Sequence, residues 1–189
     1  MRLLTVSLAL AFVTAIAAAQ APSTKSAGAD RRARPAPKPA GTLAQLMRGI
    51  YFPNSNLIFD VQQNDPGVPK KKAESSGSST DTYSGAYSGW DVVENAAIAL
   101  TDGVDLILKP GRTCQNGKPV PINQPDFQRF ARALREAGQV ALQAARSRSQ
   151  EKVSDATNNI ADACSGCHEV YRDKGPADSP ARCTPPATR

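Results

Sequence analysis

The sequence predicts an all-α protein, an antiparallel four-helix bundle, and three observations support this fold class. Four segments repeat apolar residues at spacings of three and four, which is typical of helices with one buried face. No segment has the pattern of a credible strand. One connection is short, which favours antiparallel neighbours, whereas long polar loops join the first helix to the second and the second to the third.

The first helix is predicted to begin at Thr42, which forms a capping box with Gln45. Pro53 predicts a kink or a break, because its ring would clash with the carbonyl four residues earlier. Asn54 or Ser55 could then cap a continuation of the helix. The apolar positions are Leu43, Leu46, Met47 and Ile50 before the proline and Leu57, Ile58 and Val61 after it.

The second helix is predicted over about 88–108, the third from Pro125, and the fourth from a turn at 147–150 to Gly175. Their inward positions are Trp90, Val93, Ala97, Leu100, Val104 and Ile107, then Phe127, Phe130, Leu134, Ala137, Ala141 and Ala145, then Val153, Ala156, Ile160, Cys164, Cys167 and Tyr171. The alanines of the third helix would allow close helix approach or leave room for a bulky cofactor.

Residues 1–19 have the layout of a secretory signal peptide, with a positive start, an apolar run and small residues at the cleavage zone. An uncleaved anchor is the alternative, but the apolar run is short for a membrane span, so we expect a periplasmic protein without stable membrane insertion. Residues 20–41 predict a disordered linker, 42–174 the bundle, and 175–189 a C-terminal tail. A long polar loop is expected over 64–86.

The predicted last helix contains Cys164-Ser165-Gly166-Cys167-His168, and Cys-x-x-Cys-His is the attachment signature of c-type haem. Two thiols about one helical turn apart can each reach a vinyl group of one porphyrin, and the next residue places an imidazole under the iron. Cys164, Cys167 and His168 are therefore predicted to bind one covalent haem c.

Three other uses of these residues are weaker. A thioredoxin-type site needs a βαβ context, and none is visible. A zinc site would need further ligands, whereas His168 is the single histidine and the other cysteines are distant. A disulfide between Cys164 and Cys167 is unfavourable on a regular helix.

The motif lies on the last predicted helix, and no methionine follows it. In this respect the chain resembles the class II c-type cytochromes, the cytochrome c-prime and cytochrome c-556 family. Tyr171 and Arg172 match the aromatic-basic pair that follows the family's motif, and Leu46-Met47 resembles its haem-facing pair. The resemblance covers roughly 42–174 and is strong at the motif. The chain departs from the family in its two long loops and two additional cysteines.

The resemblance makes His168 the proximal iron ligand. Met47 is the only methionine left after signal cleavage, so it is either the sixth ligand or a core residue. Arg172 is expected near the imidazole or a haem propionate, or else as an exposed charge at the helix end. Tyr171 is expected to pack on the porphyrin edge or within the bundle.

Cys114 and Cys183 lie in predicted loops of an exported chain, so we expect them to form a disulfide that ties the tail to the long loop. Closing about 70 residues would contribute roughly 4 kcal/mol in the chain-entropy description. Two unpaired thiols are the alternative.

Two functions follow from these expectations. The first is an electron carrier that exchanges electrons with redox partner proteins and performs no bond chemistry, so it is not an enzyme. The second is a five-coordinate haem protein that binds a small gas such as nitric oxide.

The formal net charge of +6 reflects basic clusters in 31–38 and 70–72, which we interpret as solvated rather than as an attraction for an acidic partner. No nucleic-acid module is apparent. Related bundles often pair through their first two helices, so a homodimer is one expected state.

Overall fold

The structure is a computed structural model that describes residues 37–68 and 89–186. The predicted signal peptide, most of the predicted linker and most of the 64–86 loop lie outside the described residues. None of the described helices has the length and the apolar character that crossing a membrane requires.

Four helical elements make up the described fold. Helix α1 consists of four consecutive segments, Leu43–Leu46, the π-helical Met47–Tyr51, Phe52–Phe59 and the 3-10 turn Asp60–Gln62. Helix α2 is Trp90–Asp102 continued by Val104–Ile107, α3 is Pro125–Arg146, and α4 is Gln150–Tyr171. The described residues contain no strand, only an isolated bridge between Thr113 and Pro119. The predicted all-α class is confirmed.

The helices close into a ring, because α1 packs against α2 and α4, and α3 packs against the same two helices. Ion pairs show the antiparallel order of α2 and α3, since Arg146 pairs with Glu94 and Arg135 with Asp105. Residues early in one helix therefore meet residues late in the other. The chain reverses from α3 into α4 within three residues, 147–149.

Small residues bring α2 and α3 close together. Ala137, Ala141 and Ala145 are buried in the core. A Cβ atom added at Gly138 would lie 2.6 Å from the hydroxyl of Thr101, so only glycine fits at this crossing. The alanines of α3 were expected either to allow close helix approach or to leave room for a cofactor. The packing of α3 against α2 agrees with close helix approach.

The N-terminal half of α1 follows the sequence prediction, because Thr42 and Gln45 form the expected capping box. The predicted new cap after Pro53 is wrong. The side chain of Asn54 donates to the carbonyl of Ile50 at 2.7 Å, and that of Ser55 bonds a carbonyl in the same way, so neither starts a new helix. The chain passes the proline through a π-helical turn instead of a break.

Candidate haem-binding site

The predicted haem motif lies on the last two turns of α4, which ends at Tyr171. Helical spacing places Cys164, Cys167 and His168 on one face, since residues three and four apart are neighbours on a helix surface. Both cysteines are unpaired and half-buried. The uninterrupted helix therefore presents two thiols and an imidazole together.

This face borders a cavity of about 870 Å³, which falls in the usual size range of ligand and cofactor sites. Its walls come from all four helices, the loop before α3 and the C-terminal tail. The cavity lining includes every residue predicted for the site, namely Met47, Cys164, Cys167, His168, Tyr171 and Arg172, together with Cys114 and Cys183. Most of the remaining wall is apolar, including Phe52, Phe59, Phe127, Phe130 and Leu134.

Burial keeps the two motif thiols protonated at neutral pH. It raises the pKa of the Cys167 thiol to about 12, with smaller contributions from Cys164 and the carboxylate of Asp126. Burial also raises the pKa of Cys164. Thiols of this kind are poor nucleophiles and metal ligands as they stand. The raised pKa values therefore argue against a nucleophilic or metal-binding role for the free thiols.

His168 is favoured in its neutral form, which is the form that binds metals. Burial is the main cause that lowers the pKa of His168, and the charge of the neighbouring Arg172 guanidinium lowers it further. The Nη1 atom of Arg172 lies 3.3 Å from Nδ1 of His168. Arg172 also pairs with Asp173 and is largely exposed, so it has both features expected of it, contact with the imidazole and a position at the helix end.

Tyr171 fixes the end of α4 against the start of α3. Its hydroxyl donates to Oδ1 of Asp126 at 2.6 Å, and its ring packs edge-to-face on Phe127, with centroids 5.2 Å apart. The ring of Tyr171 makes a second edge-to-face contact with Phe130, with ring centroids 6.3 Å apart. Burial and this hydrogen bond raise the pKa of Tyr171. These contacts support packing within the bundle as its main role, although the residue also borders the cavity.

Met47 begins the π-helical segment of α1 and is half-buried. It packs against the hydrophobic core and also lines the cavity. Both expected roles, iron ligand and core residue, are compatible with this position.

The disulfide predicted between Cys114 and Cys183 is present, with Cα atoms 6.5 Å apart. Hydrogen bonds reinforce this connection, because the side-chain amide of Asn116 donates to the carbonyls of Ser179 and Arg182. The backbone N–H of Cys183 donates to the carbonyl of Tyr171, so the tail folds back over the end of α4. Since both cysteines line the cavity, the tail forms part of its wall.

Several polar residues of the cavity, among them Tyr51, Arg48, Gln115 and Arg182, were not identified from the sequence. Tyr51 is 5% exposed, and its hydroxyl is a buried side-chain atom without a hydrogen-bond partner within the described residues. Arg48, Gln115 and Arg182 contribute polar groups from α1, the loop and the tail. Tyr51 could have been found from its four-residue spacing to Met47. Gln115 and Arg182 depend on tertiary folding of loops, for which the sequence has no local signal.

An all-helical bundle with this motif on its last helix resembles a class II c-type cytochrome. Consistent with that class, the family model described as Cytochrome C' matches residues 120–172. The matched segment contains α3 and α4 with the complete haem motif, and it covers less than half of the chain. No curated protein and no solved structure matches the chain significantly. The resemblance inferred from the motif is thus confirmed over this segment, and it indicates a haem c protein.

The cavity residues fit a haem in three respects. Two unpaired thiols and an imidazole line the same space, and most of the remaining wall is apolar. Arginines from three separate elements, Arg48, Arg172 and Arg182, also border it. Guanidinium groups are well suited to hold carboxylates such as those of a porphyrin.

Proposed function

We propose that this chain carries one covalently attached haem and exchanges single electrons with partner redox proteins. The observation that supports this most strongly is the convergence of Cys164, Cys167 and His168 with Met47 on one largely apolar cavity. A bound haem would supply an iron that changes its oxidation state by one electron.

The chain's own residues would hold the cofactor and exclude water. Cys164 and Cys167 would attach it through sulfur, and His168 would provide the proximal nitrogen. The aromatic walls would keep solvent from the ring, which helps to set the reduction potential. Among the described residues neither Arg48 nor Arg182 forms an ion pair. Arg48 donates to Gln115 and Arg182 to the carbonyl of Gly175, and each guanidinium has further N–H groups that could bind a carboxylate.

A second candidate function is the binding of a small gas at a five-coordinate iron. The cavity is also lined by Leu100 and Ile107 of α2 and by Tyr51. The unpartnered hydroxyl of Tyr51 favours this alternative, because it is a hydrogen-bond donor that nothing in the described residues uses.

Absorption and resonance Raman spectra of the matured protein, recorded with and without carbon monoxide, separate the two functions. If Met47 is a ligand, the reduced protein has a low-spin spectrum, Met47→Leu makes it high-spin, and carbon monoxide binds faster to the variant. Ile50→Leu is the matched control, since Ile50 is half-buried in the same π-helical segment but does not line the cavity. A high-spin wild type that binds carbon monoxide, unchanged by Met47→Leu, would instead support gas binding.

We further infer export to the periplasm, where a protein partner would dock at the cavity mouth. Proteins of the cytochrome c' family are exported. Phe52, 69% exposed beside the cavity, is a suitable contact for such a partner. Fractionation of the native host, with haem staining of each fraction, tests the location, and a haem-stained band confined to the cytoplasm would contradict it.

A further inference from the structure

Helix α1 changes its hydrogen-bonding pattern where it borders the cavity. The α-helical Leu43–Leu46 passes into the π-helical Met47–Tyr51 and then into the α-helical Phe52–Phe59. The N–H of Phe52 donates to the carbonyl of Met47, five residues earlier. Single π turns inside α-helices are rare and occur frequently at functional sites.

Pro53 provides the local cause of this turn. Proline has no N–H to donate to the carbonyl of Gly49, and in a regular α-helix its ring would clash with that carbonyl. A π turn accommodates one additional residue, which relieves the clash without ending the helix. The side chain of Asn54 donates to the carbonyl of Ile50 and so provides a partner within the widened turn.

The turn also decides which residues of α1 reach the cavity. The cavity-lining residues of α1 recur every four positions, as Leu43, Met47, Tyr51, Ser55 and Phe59, with Ala44, Arg48, Phe52 and Asn56 beside them. In a regular α-helix each four-residue step advances about 40° beyond a full turn, so the first and last of the five would differ by about 160°. One inserted residue removes about 100°, and the remaining spread of about 60° fits within a single helix face.

We propose that Pro53 is a positioning residue for the haem site. By excluding a regular α-helix at this point it favours the π turn, which the packing of α1 selects and which allows both Met47 and Phe59 to line the same cavity. This inference rests on the proposed function, because it assumes that a haem occupies the cavity. Pro53 itself does not line the cavity and acts through the register of α1.

The test compares the wild type with Pro53→Ala and with a double variant that combines Pro53→Ala with deletion of Gly49. Alanine restores the N–H and permits a continuous α-helix, which rotates Met47 away from Phe59 by about 100°. Deleting one residue of the turn then restores the original register within a continuous α-helix. Gly49 is suitable because it is exposed and a Cβ there would meet no atom within 4 Å. Pro110→Ala, at an exposed proline outside the cavity, is the matched control.

The readout is the methyl resonance of Met47 in protein labelled with ¹³C-methyl methionine, together with the Soret circular dichroism of the holoprotein. Met47 and Met1 are the only methionines, so the Met47 signal is readily assigned. We expect Pro53→Ala to shift this signal towards that of free methionine and to change the Soret band, the double variant to restore both, and Pro110→Ala to leave both unchanged.

Wild-type spectra in Pro53→Ala would overturn the proposal, and so would a double variant no better than Pro53→Ala. If Pro53→Ala fails to fold but the double variant folds with wild-type spectra, the loss of the α1 register explains the failure and the proposal stands. Failure of both variants to fold counts against the proposal. A wild-type chain without haem would be a failure of the proposed function instead. In that case the rotation is still measured on the apoprotein, from nuclear Overhauser contacts between the Met47 methyl and aromatic ring protons of the cavity.

Discussion

Removal of the Cys114–Cys183 disulfide is the change whose effect is best determined by the structure. The appropriate variant replaces both cysteines with alanine. Cys114 is only 3% exposed, so a serine hydroxyl placed there would be buried and would add a desolvation cost of its own, about 1–3 kcal/mol if it found no partner. The thiols of the haem motif stay intact.

The disulfide joins residues separated by 69 positions. In the chain-entropy description, a loop of this length stabilises the fold by about 4 kcal/mol through restriction of the unfolded chain. This is a large share of the roughly 5–15 kcal/mol that holds a typical domain folded. For a chain of this size, each kcal/mol lowers the melting temperature by about 2–4 °C, so a decrease of about 8–16 °C is expected.

The assay is thermal unfolding at neutral pH, followed by far-ultraviolet circular dichroism, with the haem content of both proteins matched. The wild type in the presence of a reductant is the control, and it should approach the melting temperature of the variant. Because the disulfide holds the tail, trypsin should also cleave the variant faster after Arg182. A loss of stability below about 1 kcal/mol would contradict the chain-entropy reasoning for this disulfide.

Three further predictions concern packing, titration and capping. Gly138→Ala should lower the free energy of unfolding by about 1–2 kcal/mol in chemical denaturation, because overpacking against Thr101 exceeds the gain in helix propensity. Gly49→Ala is the control and should not destabilise the protein, because the space around Gly49 is open. Equal effects of the two substitutions would contradict the close crossing of α2 and α3. The pKa of Tyr171 is raised above its ordinary value of 10.0, so the stability that the neutral phenol contributes is present below about pH 10 and is lost as the pH rises further. Tyr171→Phe should therefore flatten the alkaline decline in melting temperature. An unchanged slope of melting temperature against pH would contradict this prediction. Thr42→Ala should cost about 1 kcal/mol through loss of the capping box, measured by the same denaturation, and no loss would show that the cap is not formed in solution.

Periodicity was sufficient for the four helices and the capping box for the start of the first, because their apolar faces and the Thr42 cap are properties of local sequence. The π turn could not be predicted, since a missing N–H at Pro53 is compatible with a kink, a break or a widened turn. Only packing of α1 against the rest of the bundle selects among them.

The haem motif was recognisable because its three functional residues are contiguous on one helix. The pairing of Cys114 with Cys183 could also be predicted, since they were the two cysteines outside the motif. By contrast, the contribution of Arg182 to the cavity depends on how the tail folds back over α4. That arrangement rests on contacts between residues distant in sequence, and no local pattern specifies it.

The intact mass of the mature protein, isolated from a host that attaches haem to exported cytochromes, tests the central claim most directly. We predict a mass increase of one haem that survives denaturation and that tryptic mapping assigns to the peptide containing Cys164 and Cys167. A denatured chain of unmodified mass, with both thiols free to react with an alkylating reagent, would contradict it.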